Sequence, residues 1–335
     1  MFGHRADGKQ VKGLDIIDKA EPYFMPQRID AVNYTQMKVQ CDKLDDFIAR
    51  ERKNGNTYSY MHILMTAIVR VLYIRKKMNR FIMRNVIYQR NEITISMDVK
   101  KKLEDDGEQM TLKFHFTGRE SIAEVKQIVD SEIEKNLKPD QVHGTTKVAK
   151  KFTRLPHFLF RWAMAIIRWA DRHGMLPKKL IDASPFHTSC FLTNLKSIKL
   201  GYIYHHLYNF GTTTMFMAMG KEKVEPFVYN NKELRLAKIM TVGISLDERV
   251  ADGLYMGKTL RILQEFLTNP DSLMESLPDD GSIPKKLVKK KVKKVKKVKK
   301  EKNKEKKIRP LKNKKKHDEK LKKIKKNKEN TNTEE

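Results

Sequence analysis

The chain has 335 residues, 39% of them hydrophobic, and a net charge of +29, so it is long enough to bury a substantial core. The charge is uneven: from Pro284 onward 26 Lys and Arg face 7 Asp and Glu, a net +19, which leaves +10 for everything before it. Two cysteines, Cys41 and Cys190, exclude a disulfide framework and fit a reducing, cytoplasmic setting. The first eight residues show no apolar secretory core, and no uncharged run reaches the ~18 apolar residues of a membrane span.

Residues 1–29 read as an extended lead-in punctuated by Gly and Pro. Val32 to Val39 reads as a strand, and Cys41 to Arg52 as a helix stopped by Asn54-Gly55. Tyr58 to Lys77 is a strongly apolar helix, with Met61, Leu64, Ile68 and Leu72 at helical spacing. Phe81 to Arg90 and Glu92 to Val99 read as strands paired across a short turn, and Met110 to Phe116 alternates Leu112, Phe114 and Phe116 on one face. Ser121 to Asn136 returns to helix.

In the second half, Ser189 to Leu195, Thr213 to Met219 and Leu236 to Ser245 are strands rich in β-branched and apolar residues. Asn230-Asn231 marks a hairpin turn within Val228 to Glu233. Leu254 to Leu267 is a closing helix that stops at Asn269-Pro270. Helices interspersed with hairpins imply a mixed α/β sandwich. From Lys285 the Val-Lys-Lys triplets cannot bury enough apolar surface to fold alone. This arm (284–335) is expected to attract polyanions, RNA or anionic lipid, in a salt-sensitive way without sequence-specific recognition.

Asp247-Glu248-Arg249-Val250-Ala251-Asp252-Gly253 resembles the D-H-R-x-x-D-G signature of the dihydrolipoamide acyltransferases of 2-oxo acid dehydrogenase complexes, relatives of chloramphenicol acetyltransferase. Phe191-Leu192-Thr193-Asn194-Leu195 resembles the family's F-T-I-S-N-L segment, and Met217-Ala218-Met219-Gly220 its later I-L-G-V-G strand. The resemblance runs roughly from Asp30 to Leu273. It implies an α/β two-layer sandwich of the chloramphenicol-acetyltransferase type, a mixed sheet with helices on one face, over residues 30–275. It further implies a homotrimer with active-site channels between subunits, and acyl transfer with coenzyme A or acyl-CoA as substrate.

What the resemblance implies for single residues is specific. Thr193 stands where the family's serine donates to the oxyanion. Glu248 stands where the family has its histidine base, and a carboxylate near pKa 4.3 is a poorer base for a thiol near 8.5 than an imidazole near 6.5. Asp252 is expected to organise the loop by pairing with an arginine, with Arg28 as a candidate partner, and Arg249 to belong to the same loop. Gly253 is expected where a side chain would clash. His205 and His206 lie in the region that lines the family's channel. An extended chain would put their rings on opposite sides, so one of them could stand in as base. No lipoyl attachment domain precedes the fold, no His/Cys/Asp/Glu set has metal spacing, and there is no phosphate-binding glycine loop.

Residues 137–181 have no counterpart in the family core and read as a helical insertion. Its stretch from Leu155 to Met175 is apolar nearly all round, with Arg154, Arg161 and Arg168 seven residues apart. That pattern suits a helix lying in a membrane interface, or one buried against the body or a neighbouring subunit. Three functions stay open at this point: an acyltransferase with an altered site, a non-catalytic trimeric scaffold or acyl-CoA-binding regulator, and a protein peripheral to the membrane or bound to polyanions through the insertion and tail.

Overall fold

The computed structural model describes residues 5–100, 104, 107, 109–137, 156–229 and 233–279. The chain divides into Met1–Ser282 and Ile283–Glu335; the second unit, with the basic arm, lies outside the described residues, as do Arg154 and the Asn230-Asn231 turn.

The lead-in is not extended. It holds strand β1 (Gly8–Gln10) and helix α1 (Ile16–Phe24). α1 starts because the Asp15 carboxylate accepts from the Asp18 amide at 2.8 Å, satisfying a donor that the first turn leaves open. Then come β2 (Val32–Gln40), α2 (Asp42–Lys53) and α3 (Tyr60–Ile74), as the sequence predicts. α2 ends at Asn54 with Gly55 at φ +86°, the left-handed exit that suits glycine.

Every residue of α3 from Tyr60 to Leu72 is buried. Arg70 among them is fully enclosed. Its guanidinium donates to the carbonyls of Glu120 (3.2 Å), Ser272 (2.6 Å), Leu273 (3.2 Å) and Glu275. Burial lowers its pKa to about 10, and the carbonyls replace the water it has lost.

Between residues 80 and 100 the pairing differs from the expectation. β3 (Arg80–Met83) and β4 (Val86–Arg90) close their own hairpin through Arg84-Asn85, at φ 50° and 61°, the signs of a two-residue type I′ turn. β1 adds to its edge in the order β1-β4-β3. β5 (Ile93–Lys100) leaves for the main sheet and pairs with β6 (Gln109–Phe116). The turn is easy to miss because it lacks the glycine that usually marks it.

The main sheet runs β2-β10-β8-β7-β5-β6, with β9 on β10; β7 spans Cys190–Asn194, β8 Met215–Met219, β9 Lys223–Tyr229 and β10 Glu233–Asp247. β7 is parallel to β5 and β8, and the other pairings are antiparallel. The expected α/β fold with a mixed sheet and helices is therefore present. α4 (Ile122–Leu137) and the closing helix join α3 in a helical layer that meets β2, β5 and β6. Phe191, Phe216 and Ser245 share a rung of the sheet, as do Thr193, Ala218 and Gly243. The chain from Tyr202 to Ile203 crosses this face so closely that a Cβ on Gly243 would lie 2.0 Å from the Ile203 carbonyl oxygen.

Helix α5 (His157–Arg172) and a short α6 (Lys178–Ala183) occupy the described part of the insertion. α5 is not buried against the body of this chain. Trp162 is 69% exposed, Phe158, Ile166 and Trp169 are also exposed, and Asp171 is its one buried residue.

Candidate functional site

β10 delivers Asp247 to a short turn, Glu248–Val250, that leads into the closing helix α7 (Gly253–Thr268). Asp247 has no exposed surface. Its carboxylate accepts from Arg249 Nε at 2.8 Å and Nη2 at 2.7 Å, and Arg28 Nε lies 3.6 Å from its Oδ2. Arg28 also donates to the carbonyls of Tyr208 and Gly211, and Arg249 to that of Met25 at 2.7 Å. Burial lowers the Arg28 pKa, with Asp247 opposing. Two buried cations thus share one buried carboxylate, and the cluster ties residues 25–28, 208–211 and 247–249 together.

Asp247 fills the place expected of Asp252. Arg28 meets Asp247, while the exposed Asp252 accepts from the Tyr255 amide at 2.8 Å and caps α7. That backbone hydrogen bond holds the Asp252 carboxyl below its ordinary pKa. Gly253 is not crowded either: a Cβ there would meet nothing within 4 Å. Glu248, half-buried, accepts from the side-chain amide of Asn33 at 2.5 Å.

Thr193 is far from that turn. It sits beside Ala218, whereas the Asp247 amide donates to Thr214 at the other end of β8. Four residues at about 3.3 Å each, and two strand spacings of about 4.8 Å, separate them by on the order of 15 Å. Within one chain Thr193 and Glu248 cannot act on the same atom.

The two histidines do not point apart. Their rings stack at 4.5 Å, with His205 Nδ1 2.8 Å from the His206 carbonyl oxygen. His205 also lies flat on Phe216 at 3.9 Å and 6°, and Phe216 stacks on Phe191 at 5.0 Å. Burial lowers the His205 pKa, which favours a neutral ring. With the Nδ1 proton given to the carbonyl, Nε2 is the free acceptor. Thr193 follows Phe191 by two residues and shares its sheet face, so His205 lies on the Thr193 face, over a rung two residues from Thr193 and two from Asp247.

Sequence reasoning missed a buried polar cluster. Asp171 takes Arg5 Nη2 at 2.9 Å and lies 3.2 Å from His187 Nε2, and His187 Nδ1 is 2.7 Å from Ser184 Oγ. Arg5 also pairs with Asp7 at 2.8 Å. His187 and Asp171 are each 2% exposed, so the set anchors the end of α5 to the lead-in. No periodicity or motif links these residues in the sequence. Beside it is a cleft of about 670 Å³ lined by Arg28, Arg84, Arg168, Arg172 and Arg249, with Asp171 as its acidic member. Among the described residues no His/Cys/Asp/Glu group could hold a metal ion, and no helix is long and apolar enough to cross a membrane.

Residues 212–275 match the family model "2-oxoacid dehydrogenases acyltransferase (catalytic domain)", which bears out the resemblance read from the 247–253 signature. No curated protein matches the chain. Among solved structures, a probable dihydrolipoamide acetyltransferase from Listeria monocytogenes is similar at 12% identity and TM-score 0.48, over 77% of this chain and 94% of that one. A chloramphenicol acetyltransferase is similar at 12% identity and TM-score 0.48, over 78% and 99%. A truncated catalytic core of the 2-oxoacid dehydrogenase multienzyme complex from Thermoplasma acidophilum gives 12% and 0.47, over 78% and 100%.

Proposed function

We propose that the protein is a coenzyme A-dependent acyltransferase with an altered active site, working as a homotrimer across the interface between copies of the chain. The observation that carries this is the family match over 212–275, which contains the whole 247–253 turn. The separation of Thr193 from Glu248 within one chain supports a site shared between copies, because only a second copy can bring the two together.

In the reaction, an acceptor thiol or hydroxyl attacks the acyl carbon of acyl-CoA. Its proton passes to a base, the tetrahedral oxyanion takes a hydrogen bond from the Thr193 hydroxyl, and the C–S bond breaks as CoA leaves and recovers a proton. Glu248 from a neighbouring copy is the base by position. As a carboxylate it is mismatched to a thiol, which predicts slow turnover. A second reading has a specific observation behind it. His205 is held neutral by burial, offers Nε2 and shares the Thr193 face, so it can serve as base from the other side of the channel.

CoA release from acetyl-CoA, with and without an acceptor thiol, tests both readings. Glu248→His should raise the rate, and Thr193→Val should lower it by roughly 10²-fold. If Glu248→Gln changes nothing and His205→Asn abolishes turnover, His205 is the base. Binding of acetyl-CoA without turnover in the wild type and in Glu248→His would leave the scaffold function in place of catalysis. The setting we propose is cytoplasmic, with the basic arm free to touch RNA or anionic lipid.

A further inference from the structure

We propose that the arginine-lined cleft beside the 247–250 turn is a binding site for a phosphate-bearing ligand, carrying a diphosphate or two phosphate groups. The observations do not draw on the acyl-transfer reading, although acyl-CoA, which carries a diphosphate and a third phosphate, is one ligand of this class. Arg84, Arg168 and Arg172 face the cleft with no ion-pair partner among the described residues. Arg28 and Arg249 form its floor and share Asp247 between them. The one acidic lining residue, Asp171, is already taken by Arg5 at 2.9 Å. Three guanidinium groups without an ion-pair partner among the described residues therefore line a cavity whose own carboxylate is spent, over two more that Asp247 neutralises in part, and like charges held together favour an anion between them.

Two features show that the arrangement is built. Asp171 is locked to Arg5 through both its carboxylate and its carbonyl oxygen, the latter at 2.5 Å. This pins the last turn of α5, so Arg168 and Arg172, one turn apart, are held over the opening. Opposite them, Arg84 occupies a turn position at φ 50°, where glycine or asparagine would be the easier choice. The two-residue hairpin turn sets that φ, and so fixes Arg84 in the lining of the cleft.

Guanidinium forks match phosphate oxygens in pairs. About 670 Å³ is more room than a single phosphate needs, and Ile82 and Phe210 in the wall can pack against an organic group. The phosphate could belong to a soluble phosphorylated molecule or to a lipid headgroup. The exposed apolar side chains of α5 next to the cleft make the second source worth a separate arm.

The test is calorimetric titration of the full chain with inorganic pyrophosphate. The basic arm contributes the same background to every variant. Wild type should show a saturable one-to-one event, weakened at least tenfold in the double variant Arg168→Gln/Arg172→Gln and in Arg84→Gly. Arg161→Gln should stay within twofold, because Arg161 lies on the same helix face but two turns from the cleft. No one-to-one event in the wild type, an unchanged affinity in the double variant, or an equal loss in Arg161→Gln would each overturn the proposal. Flotation with phosphatidate vesicles at high salt, where the basic arm no longer binds, then identifies the source. Binding that pyrophosphate displaces and the double variant loses indicates a headgroup; flotation indifferent to both, beside an intact pyrophosphate site, indicates a soluble ligand.

Discussion

Replacing Asp247 with asparagine keeps the shape of the side chain and removes its charge. Arg28 and Arg249, 5% and 3% exposed, would then face each other with no carboxylate between them. Breaking a buried ion pair from one side costs about 3–5 kcal/mol, because the partner's charge stays buried. Each kcal/mol moves the melting temperature of a unit this large by about 2–4 °C, so the loss should be on the order of 10 °C. Thermal unfolding followed by circular dichroism on the full chain reads it. Adding Arg28→Met to Asp247→Asn removes one uncompensated cation and should recover part of the loss. Recovery stays partial because the carbonyls of Tyr208 and Gly211 lose their donor. A drop below about 2 °C, or a double variant no better than the single one, would refute the idea that this carboxylate holds the turn.

Lys113, whose ammonium donates to Ile181 and Ser184 carbonyls, has its pKa lowered by burial to about 8, against about 10.4 for a free lysine. The unfolded chain holds that proton more tightly, so the cost is fully present below pH 8 and fades as the pH rises towards 10.4. Lys113→Met should therefore stabilise the protein at pH 7 by up to about 3 kcal/mol, with little gain at pH 10, as denaturant melts at the two pH values would show. Gly243→Ala would force a methyl into the Ile203 carbonyl; it should lower the melting temperature and expose the 200–206 segment to protease, and normal behaviour in both would show that the segment yields cheaply. Asp252→Ala should cost about 1 kcal/mol through the lost helix cap, far less than Asp247→Asn, and equal losses would contradict the division of roles between the two. Removing the residues after Pro284 should abolish most RNA and vesicle binding at low salt, and binding that survives would place it on the body.

β2, α3, β6 and α7 were legible: β6 and α7 bury one regular face, whereas α3 reads as an apolar run and is buried all round from Tyr60 to Leu72. The β3–β4 hairpin was not, since Arg84-Asn85 lacks the turn's usual glycine and sits inside an apolar run. α1 was hidden behind Pro22 and the glycines before it. At the site, the 247–253 signature located the turn, but the spacing could not say which of its two aspartates was buried; that depends on Arg28 arriving from more than two hundred residues away. The stacking of His205 on Phe216 and the meeting of Arg5, Asp171 and His187 are contacts between distant segments, which local sequence does not encode.

The register of β8 against β7 and β10 has a consequence for how any activity would behave in a tube. If both Thr193 and Glu248 are used, the rate per chain must fall on dilution, as subunits separate. Two dead proteins, one Thr193→Val and the other Glu248→Gln, should also regain activity when unfolded and refolded together. In the proposed ring every mixed trimer contains one interface where an intact threonine meets an intact glutamate, so the defect of each chain is masked by its neighbour.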